Sequence, residues 1–338
     1  MDIHISEKNI DLIYNQFEQI IKHCLENGIK HIIQAGDVFD SRKGQPVSTL
    51  TCFSNILEKL DENGILMYCI PGNHDKVDYE SSQSYLDVFR HFPSLYLMSD
   101  LSKLDFLHGH INFIMLPFFK EDTILYSKIL EAHNLIDENK INVLITHCAI
   151  KGVKNNDGSL VDNRITSQLL KKFDKVLVAH YHNEQEFDNI HYLGSLYQAN
   201  FGEDEKKGFW TISNNCKLTH HKTQFPLYKK ISINVKDYSP EQIEEIVLSQ
   251  DTKNDNIRVV LKGTFEEINA IDKNKIKQHG VDVKLEASEI QISIEEASEE
   301  KFVSFDKGMI QNEFEEFCKS NDFKNLEIGK KYLTKILN

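Results

Sequence analysis

The sequence predicts an α/β fold built on mostly parallel strands, and three observations carry that prediction. Between Asn9 and Asp75, short apolar strands alternate with helices of 3.6-residue periodicity, joined by short connections. Both helices in this stretch run into a glycine where a C-terminal cap belongs, Gly28 and Gly64. Each strand leads at its carboxyl end into a polar cluster. In sheets of this kind working groups gather outside the carboxyl ends of the strands.

The chain opens with Asp2-Ile3-His4, where an extended segment would point the Asp and His side chains the same way. A helix follows from about Asn9 to Asn27, with Ile10, Ile13, Phe17, Ile20, Ile21 and Cys24 on one face. His31–Ala35 is a strand, followed by the turn Gly36-Asp37-Val38-Phe39-Asp40. A second helix runs from about Ser48 to Asn63. The strand Ile65–Ile70 then enters Pro71-Gly72-Asn73-His74-Asp75, where Pro71 ends the strand and Gly72 frees the backbone. A short helix over 84–92, a strand at Leu95–Met98, a strand at Ile111–Leu116 and a helix over about Thr123–His133 come next. Asn142–Thr146 delivers His147, and Lys175–Ala179 delivers His180-Tyr181-His182. Strands at Ile190–Ser195 and Gly208–Ile212 flank a polar loop.

After Phe225-Pro226 the texture changes. Alternating strands at Ile231–Val235 and Ile257–Leu261, a helix over about Phe265–Gln278 and a strand at Val281–Leu285 predict a small α+β module. A Glu-rich linker near 295–300 leads to two amphipathic helices from about Asp306. A parallel sheet of this kind would normally carry an apolar strand leading into Asp2. None stands ahead of it in this sequence, so a loosened site around Asp2 and His4 is expected.

The bulk properties narrow the class. In 338 residues, hydrophobic content of 40% and charged content of 27% are those of an ordinary globular protein. No apolar run is long enough to span a membrane, and no basic segment followed by an apolar run suggests a secretory signal. The six cysteines, Cys24, Cys52, Cys69, Cys148, Cys216 and Cys318, lack CxxC spacing, so reduced, packed thiols and a cytoplasmic setting are expected. A net charge of −13 argues against a general nucleic-acid coat protein, though a metal site can still hold phosphate within an acidic whole.

The strand-end residues Asp2, His4, Asp37, Asn73, His74, His147, His180 and His182 form a set of carboxylates, imidazoles and one amide without thiolates. Each alone has an ordinary reading as a turn or surface residue; their recurrence at five strand ends does not. Such donors suit Mn²⁺, Fe²⁺ or Zn²⁺, with Mn²⁺ favoured where oxygen ligands and open positions are needed. They are too many for one ion. Two ions about 3.5–4 Å apart can activate water and stabilise both oxygens of a phosphate displacement. Asp37 is the best-placed bridge, Asn73 adds a neutral oxygen, and His74 is left to donate a proton or hold the phosphate.

The order Asp2-x-His4, Gly36-Asp37-x-x-Asp40, Gly72-Asn73-His74-Asp75, His147 and His180-x-His182 resembles the calcineurin-like metallophosphoesterases. Within them it is similar to the SbcD-type DNA repair exonucleases and the phage recombination endonuclease subunits. Gly36–Arg42, Tyr192-Leu193-Gly194-Ser195 and Lys207-Gly208-Phe209-Trp210 support the narrower match. Ala179 stands where the family usually has glycine. The resemblance implies a metallophosphoesterase β-sandwich with flanking helices over 1–225, its first strand apparently missing. It further implies an α+β DNA-capping domain over 226–300 and a helical partner-binding element over 301–338. It implies one metal on Asp2, His4, Asp37 and His182, a second on Asp37, Asn73, His147 and His180, and His74 as catalytic histidine. The expected function is Mn²⁺-dependent hydrolysis of phosphodiester bonds at DNA ends in recombination or repair. The expected partners are DNA, an SMC-type coiled-coil ATPase and a second copy in a homodimer, with no membrane. The alternatives are a phosphodiesterase or phosphatase of small substrates, and a catalytically weakened scaffold subunit. Asp75 and Val38-Phe39-Asp40 argue against a protein phosphatase.

Overall fold

A computed structural model describes residues 1–77, 83–104, 109–120, 122–155, 158–287 and 314. The chain divides into two units, Met1–Ser288 and Glu289–Asn338. The expected linker and terminal helices lie outside the described residues.

The elements in chain order are α1 (Ile10–Glu26), β1 (His31–Gln34), α2 (Val47–Glu62), β2 (Leu66–Cys69), β3 (Leu95–Leu97), β4 (Ser102–Lys103), β5 (Ile111–Leu116), α3 (Asp122–His133), β6 (Ile141–His147), α4 (Ser167–Leu170) and β7 (Lys175–Ala179). They continue with β8 (Gln185–Phe187), β9 (Ile190–Tyr192), β10 (Gly208–Ile212), β11 (Leu218–Lys222), β12 (Tyr228–Asn234), α5 (Pro240–Leu248), β13 (Asn256–Gly263), α6 (Phe265–Asn269), α7 (Lys273–Lys277) and β14 (Asp282–Ala287).

Two sheets face each other. The first, β1-β2-β3, is parallel throughout. The second, β4-β5-β6-β7-β9-β8, is parallel at its centre with antiparallel edges. Alternation along the strands divides the apolar residues into three cores. Ala35, Tyr68 and Ile70 meet Phe113, Met115, Val143, Ile145 and Leu177 between the sheets. On the outer face of the first sheet, α1 and α2 contribute Ile13, Phe17, Phe53, Ile56 and Leu60 against Met67 and Cys69. On the outer face of the second, Leu125 and Ile129 of α3 cover Leu144, Val176 and Val178. The result is a helix–sheet–sheet–helix sandwich whose central strands all deliver their carboxyl ends to one rim.

Residues 228–287 form a third sheet, β12-β13-β14, parallel throughout, with its own core of Ile243, Val247, Val259, Leu261 and Ile276. It meets the rest of the unit through Gln198, whose amide bonds the Tyr228 backbone on both its N–H and its carbonyl. Arg258 lies over the Phe201 ring, 4.1 Å from its centre.

Two helices differ from expectation. The segment 265–278 is two short helices, because Asp272 accepts from the N–H groups of Asn274 and Lys275 and so starts a new helix. The segment 84–92 forms only a 3₁₀ helix at Tyr85–Phe89, held at its start by the Ser84 N–H donating to the Asp87 carboxylate at 2.8 Å. Helix α5 was unexpected, yet Ser239-Pro240-Glu241-Gln242 spells its capping box with proline at the first turn. Cys24, Cys52, Cys69, Cys148 and Cys216 are free and buried, as packed thiols should be. No described helix is long and apolar enough to cross a membrane.

Candidate metal centre

The rim is built by turns pressed closely together. After β1 the chain turns through Gly36 at φ +100° and Asp37 at φ +53°, so that Asp37 faces the turn after β2. Gly72 lies against it: a Cβ there would collide with the Asp37 amide and carboxylate. Asp75 fastens the two turns. Its fully buried carboxylate accepts from the N–H groups of Gly72 (2.9 Å), Phe39 (3.0 Å) and Val38 (3.2 Å). Asp37 in turn accepts from the His74 N–H at 2.8 Å. Gly72→Ala is therefore expected to displace Asp37 and lower metal occupancy while the helical signal stays intact; counting bound metal against circular dichroism checks it.

Strand β6 delivers His147. Its Nδ1 donates to the Ala35 carbonyl at 2.9 Å, which turns Nε2 toward Asn73 Oδ1 at 2.9 Å and Asp37 Oδ2 at 3.3 Å. His180 brings Nδ1 to 2.9 Å from the same Asn73 oxygen and 3.2 Å from His147 Nε2. His182 turns the other way, with Nε2 3.0 Å from His4 Nε2. The two histidines thus serve different halves of the rim. Simple alternation along a strand would place them together, but β7 ends at Ala179 and His180 takes φ +113°.

Asp2 and His4 reach the rim as well. The Ile3 and His4 N–H groups donate to the Asp37 carbonyl, the Ile5 N–H to that of Val38, and the Leu196 N–H to that of Asp2. Both side chains are buried, and His4 takes φ +53° rather than extended backbone. These backbone bonds hold the segment on both flanks. Asp2 also accepts from the His180 N–H at 3.2 Å.

Three groups of donor atoms converge closely enough to hold a cation: Asp2, His4 and His182; Asp37, His147 and His180; and His4, Asp40 and His74. Asp37 Oδ2 stands 3.3 Å from His147 and 3.7 Å from His4, between the first two. The donor set fits divalent ions. Paired imidazole nitrogens face one another at 3.0 and 3.2 Å among carboxylate and amide oxygens, and His4 Nδ1 is buried without a hydrogen-bond partner. Burial brings the pKa of His4 down to about 3, and burial beside His147 does the same for His180, so both present neutral nitrogens. Burial alone would lower His147, but the charges of Asp37 and Asp2 overcome it and raise it to about 9. Burial likewise opposes ionisation of Asp37, and the imidazoles around it, His147 first, hold it below the usual carboxylate range.

His74 stands apart, half-buried at the mouth. Its Nδ1 bonds the Asp40 carbonyl, and Nε2 receives the Arg42 guanidinium at 2.9 Å.

One residue of the rim was not foreseen. Glu203, buried in the loop before β10, accepts from His182 Nδ1 at 2.8 Å and from the Ala199 N–H at 3.0 Å. Fully buried Lys207 lies 3.8 Å away. In the sequence nothing distinguishes Glu203 from its exposed neighbour Glu205. A carboxylate behind an imidazole fixes its tautomer and orientation. Glu203→Ala is expected to weaken metal binding at the Asp2, His4 and His182 half by about 10–100-fold, read by Mn²⁺ titration with the other half as internal control.

A family model described as calcineurin-like phosphoesterase matches residues 2–184. Among curated proteins, exonuclease subunit 1 of Enterobacteria phage T4 is 26% identical over 247 residues, 69% of this chain and 70% of that protein. Putative phosphoesterase 244L of Invertebrate iridescent virus 6 is 24% identical over 298 residues, covering 81% and 96%. The SbcCD nuclease subunit of Staphylococcus epidermidis is 28% identical over 242 residues, covering 64% and 63%.

Proposed function

The chain belongs to the calcineurin-like phosphoesterase family, and from that premise we propose that it is a two-metal, Mn²⁺-dependent DNA nuclease subunit. One observation carries the reading: two convergent ligand clusters stand either side of the buried Asp37 carboxylate, 3.3 Å from His147 and 3.7 Å from His4, with a separate histidine at the mouth. One cluster is Asp2, His4 and His182 and the other Asn73, His147 and His180, with Asp37 common to both. Ions bound there supply Lewis acidity toward the phosphate and activate water for attack.

The chain's own residues do the rest. Asn73 accepts without adding negative charge, which limits repulsion of a phosphodiester. The Nδ1 hydrogen of His74 rests on the Asp40 carbonyl, which makes Nε2 the accepting nitrogen, and it receives the Arg42 guanidinium. Arg42, beside it, offers a guanidinium to a phosphate oxygen. As water adds to phosphorus and gives up a proton, the bond to the leaving deoxyribose oxygen breaks, and that oxygen takes up a proton through His74, whose Nε2 is released once the Arg42 guanidinium turns to the phosphate.

A nucleic acid as substrate is supported by the nuclease names of two relatives, and DNA is the nucleic acid proposed. The word subunit in those names supports a partner, taken here to be an SMC-type ATPase docked on 301–338. Residues 226–300 are assigned to capping the DNA, and a homodimer is the expected assembly. Several cations of the described module are already engaged with carboxylates, among them Lys229 with Asp255 and Arg258 with Asp282, both at 2.6 Å. Part of the basic surface for DNA therefore falls to the partner or to other faces.

The test is a comparison of end-labelled duplex and single-stranded DNA with a nucleotide monoester and a small aryl phosphodiester, each with Mn²⁺. Higher kcat/KM on DNA supports the nuclease. Preference for the monoester would replace it with a small-substrate phosphatase.

A further inference from the structure

The two halves of the metal centre are supported differently. On the Asp2 side, His182 is oriented by a hydrogen bond from its Nδ1 to the buried Glu203 carboxylate at 2.8 Å. On the Asn73 side, His147 is oriented by the Ala35 carbonyl. His180 has no such partner. Its Nδ1 faces Asn73 Oδ1 and His147 Nε2, both inside the cluster, and among the described residues its imidazole makes no hydrogen bond outside it. Its backbone stands at φ +113°, a conformation that residues with a side chain rarely adopt and that persists where the surroundings over-determine it. A metal-binding imidazole is ordinarily fixed from behind by a carboxylate, carbonyl or water. Something else must fix this one.

Phe118, in the turn after β5, stands in that place. Leu116, the last residue of β5, pairs with Thr146, the residue before His147, so the two strands end at the same level of the rim. The Phe118 N–H donates to the carbonyl of Pro71, two residues ahead of Asn73, at 3.0 Å. The Phe118 ring is stacked with that of His180 at 6.4 Å and 26°, and meets that of His147 edge to face at 6.1 Å and 83°. The two imidazoles meet each other at 5.1 Å and 73°. These are arrangements that aromatic rings favour, at separations of about 4.5–7 Å. Phe118 thus joins the three chain segments that supply Asn73, His147 and His180. Phe119, the next residue, packs into the outer core of the second sheet.

We infer that Phe118 is a positioning residue for the Asn73 half of the centre: its ring is the wall that holds the His180 and His147 imidazoles in orientation, as Glu203 does for His182. A ring suits the task because its face and its edge set two imidazole planes at once without adding charge. A carboxylate there would add to the negative charge of Asp2 and Asp37, which a phosphodiester must approach. An aliphatic side chain would fill the space and define neither plane. Selective weakening of one ion follows only if the two-metal reading above holds; the ring contacts themselves are testable in the metal-free chain.

The test uses the full chain and its Phe118→Ala, Phe118→Leu and Phe118→Tyr variants, with circular dichroism and the thermal midpoint as checks on folding. Leu covers the case in which the Ala variant does not fold. Mn²⁺ titration of the parent chain should show two sites. Phe118→Ala and Phe118→Leu should weaken one of them by about 10–100-fold and leave the other unchanged; Phe118→Tyr, which keeps the ring, should bind both as the parent does. In a His180→Ala background, Phe118→Ala should have a much smaller effect, because one of the two residues it orients is already gone. In the metal-free chain, the imidazole NMR lines of His147 and His180 should shift or broaden in the Ala and Leu variants, while those of His4 and His182 stay in place. Unmoved His147 and His180 lines would overturn the proposal. So would equal weakening of both ions, full affinity in Phe118→Leu, or an undiminished effect of Phe118→Ala in the His180→Ala background. A parent chain that binds fewer than two ions would overturn the two-metal reading instead, and the metal-free lines would still decide the role of Phe118.

Discussion

Asp37→Ala should remove metal from both halves of the centre and lower phosphodiester hydrolysis by about 10²–10³-fold, the scale set by losing one preorganised electrostatic group. The expectation follows from position. Asp37 approaches both clusters most closely, 3.3 Å from His147 and 3.7 Å from His4, whereas Asp2 stands 3.8 Å from His147 and 4.0 Å from His182. Asp37 also holds the turn of His74 by accepting that residue's N–H. Asp37→Asn keeps this hydrogen bond and the side chain's volume but loses the charge. If the charge is what unites the two ions, Asn should fail nearly as badly as Ala. Metal counted by mass spectrometry, beside initial rates on an aryl phosphodiester, separates the cases. Two ions retained in the Asn variant would mean that Asp37 positions the turn and does not bridge.

His74→Ala should behave differently. General acid–base groups contribute about 10²–10⁴-fold, and a loss of that size is expected with both metals still bound. The side chain sits at the mouth, tied only to the Asp40 carbonyl and Arg42 among its hydrogen-bond partners, with the edge of its ring against His4. Because His4, Asp40 and His74 also converge, the metal count decides its role. Loss of one ion in the variant would make His74 a ligand. A leaving group that needs no proton, such as a nitrophenolate, should be cleaved by the variant at a rate close to that of the parent chain.

Much of this was legible from residues alone, for identifiable reasons. The helices α1 and α2 announce themselves through apolar spacing and the glycines that follow them, and β5, β6 and β7 through short apolar runs. Placing the sheets face to face then brings Asp37, Asn73 and His147 to one rim, since all three follow parallel strands. What the sequence hides is backbone geometry. Asp2-x-His4 and His180-x-His182 both read as alternating pairs, and Asp2 and His4 do converge on one group, but at φ +113° His180 parts from His182 and joins the other. Local spacing cannot report this, because it arises from neighbouring turns. Glu203 was hidden for the same reason: a loop carries it to His182, and its burial is a tertiary fact. The break within 265–278 was readable in principle, since Asp272 is a good N-cap, but the apolar periodicity running across it masked the signal.

The central claim is a pair of ions sharing Asp37. The most direct measurement is anomalous diffraction at the manganese edge from crystals grown with Mn²⁺. Two peaks about 3.5–4 Å apart are expected, one among Asp2, His4 and His182 and the other among Asn73, His147 and His180, with Asp37 touching both. A single peak, or two peaks of which Asp37 contacts only one, would contradict it.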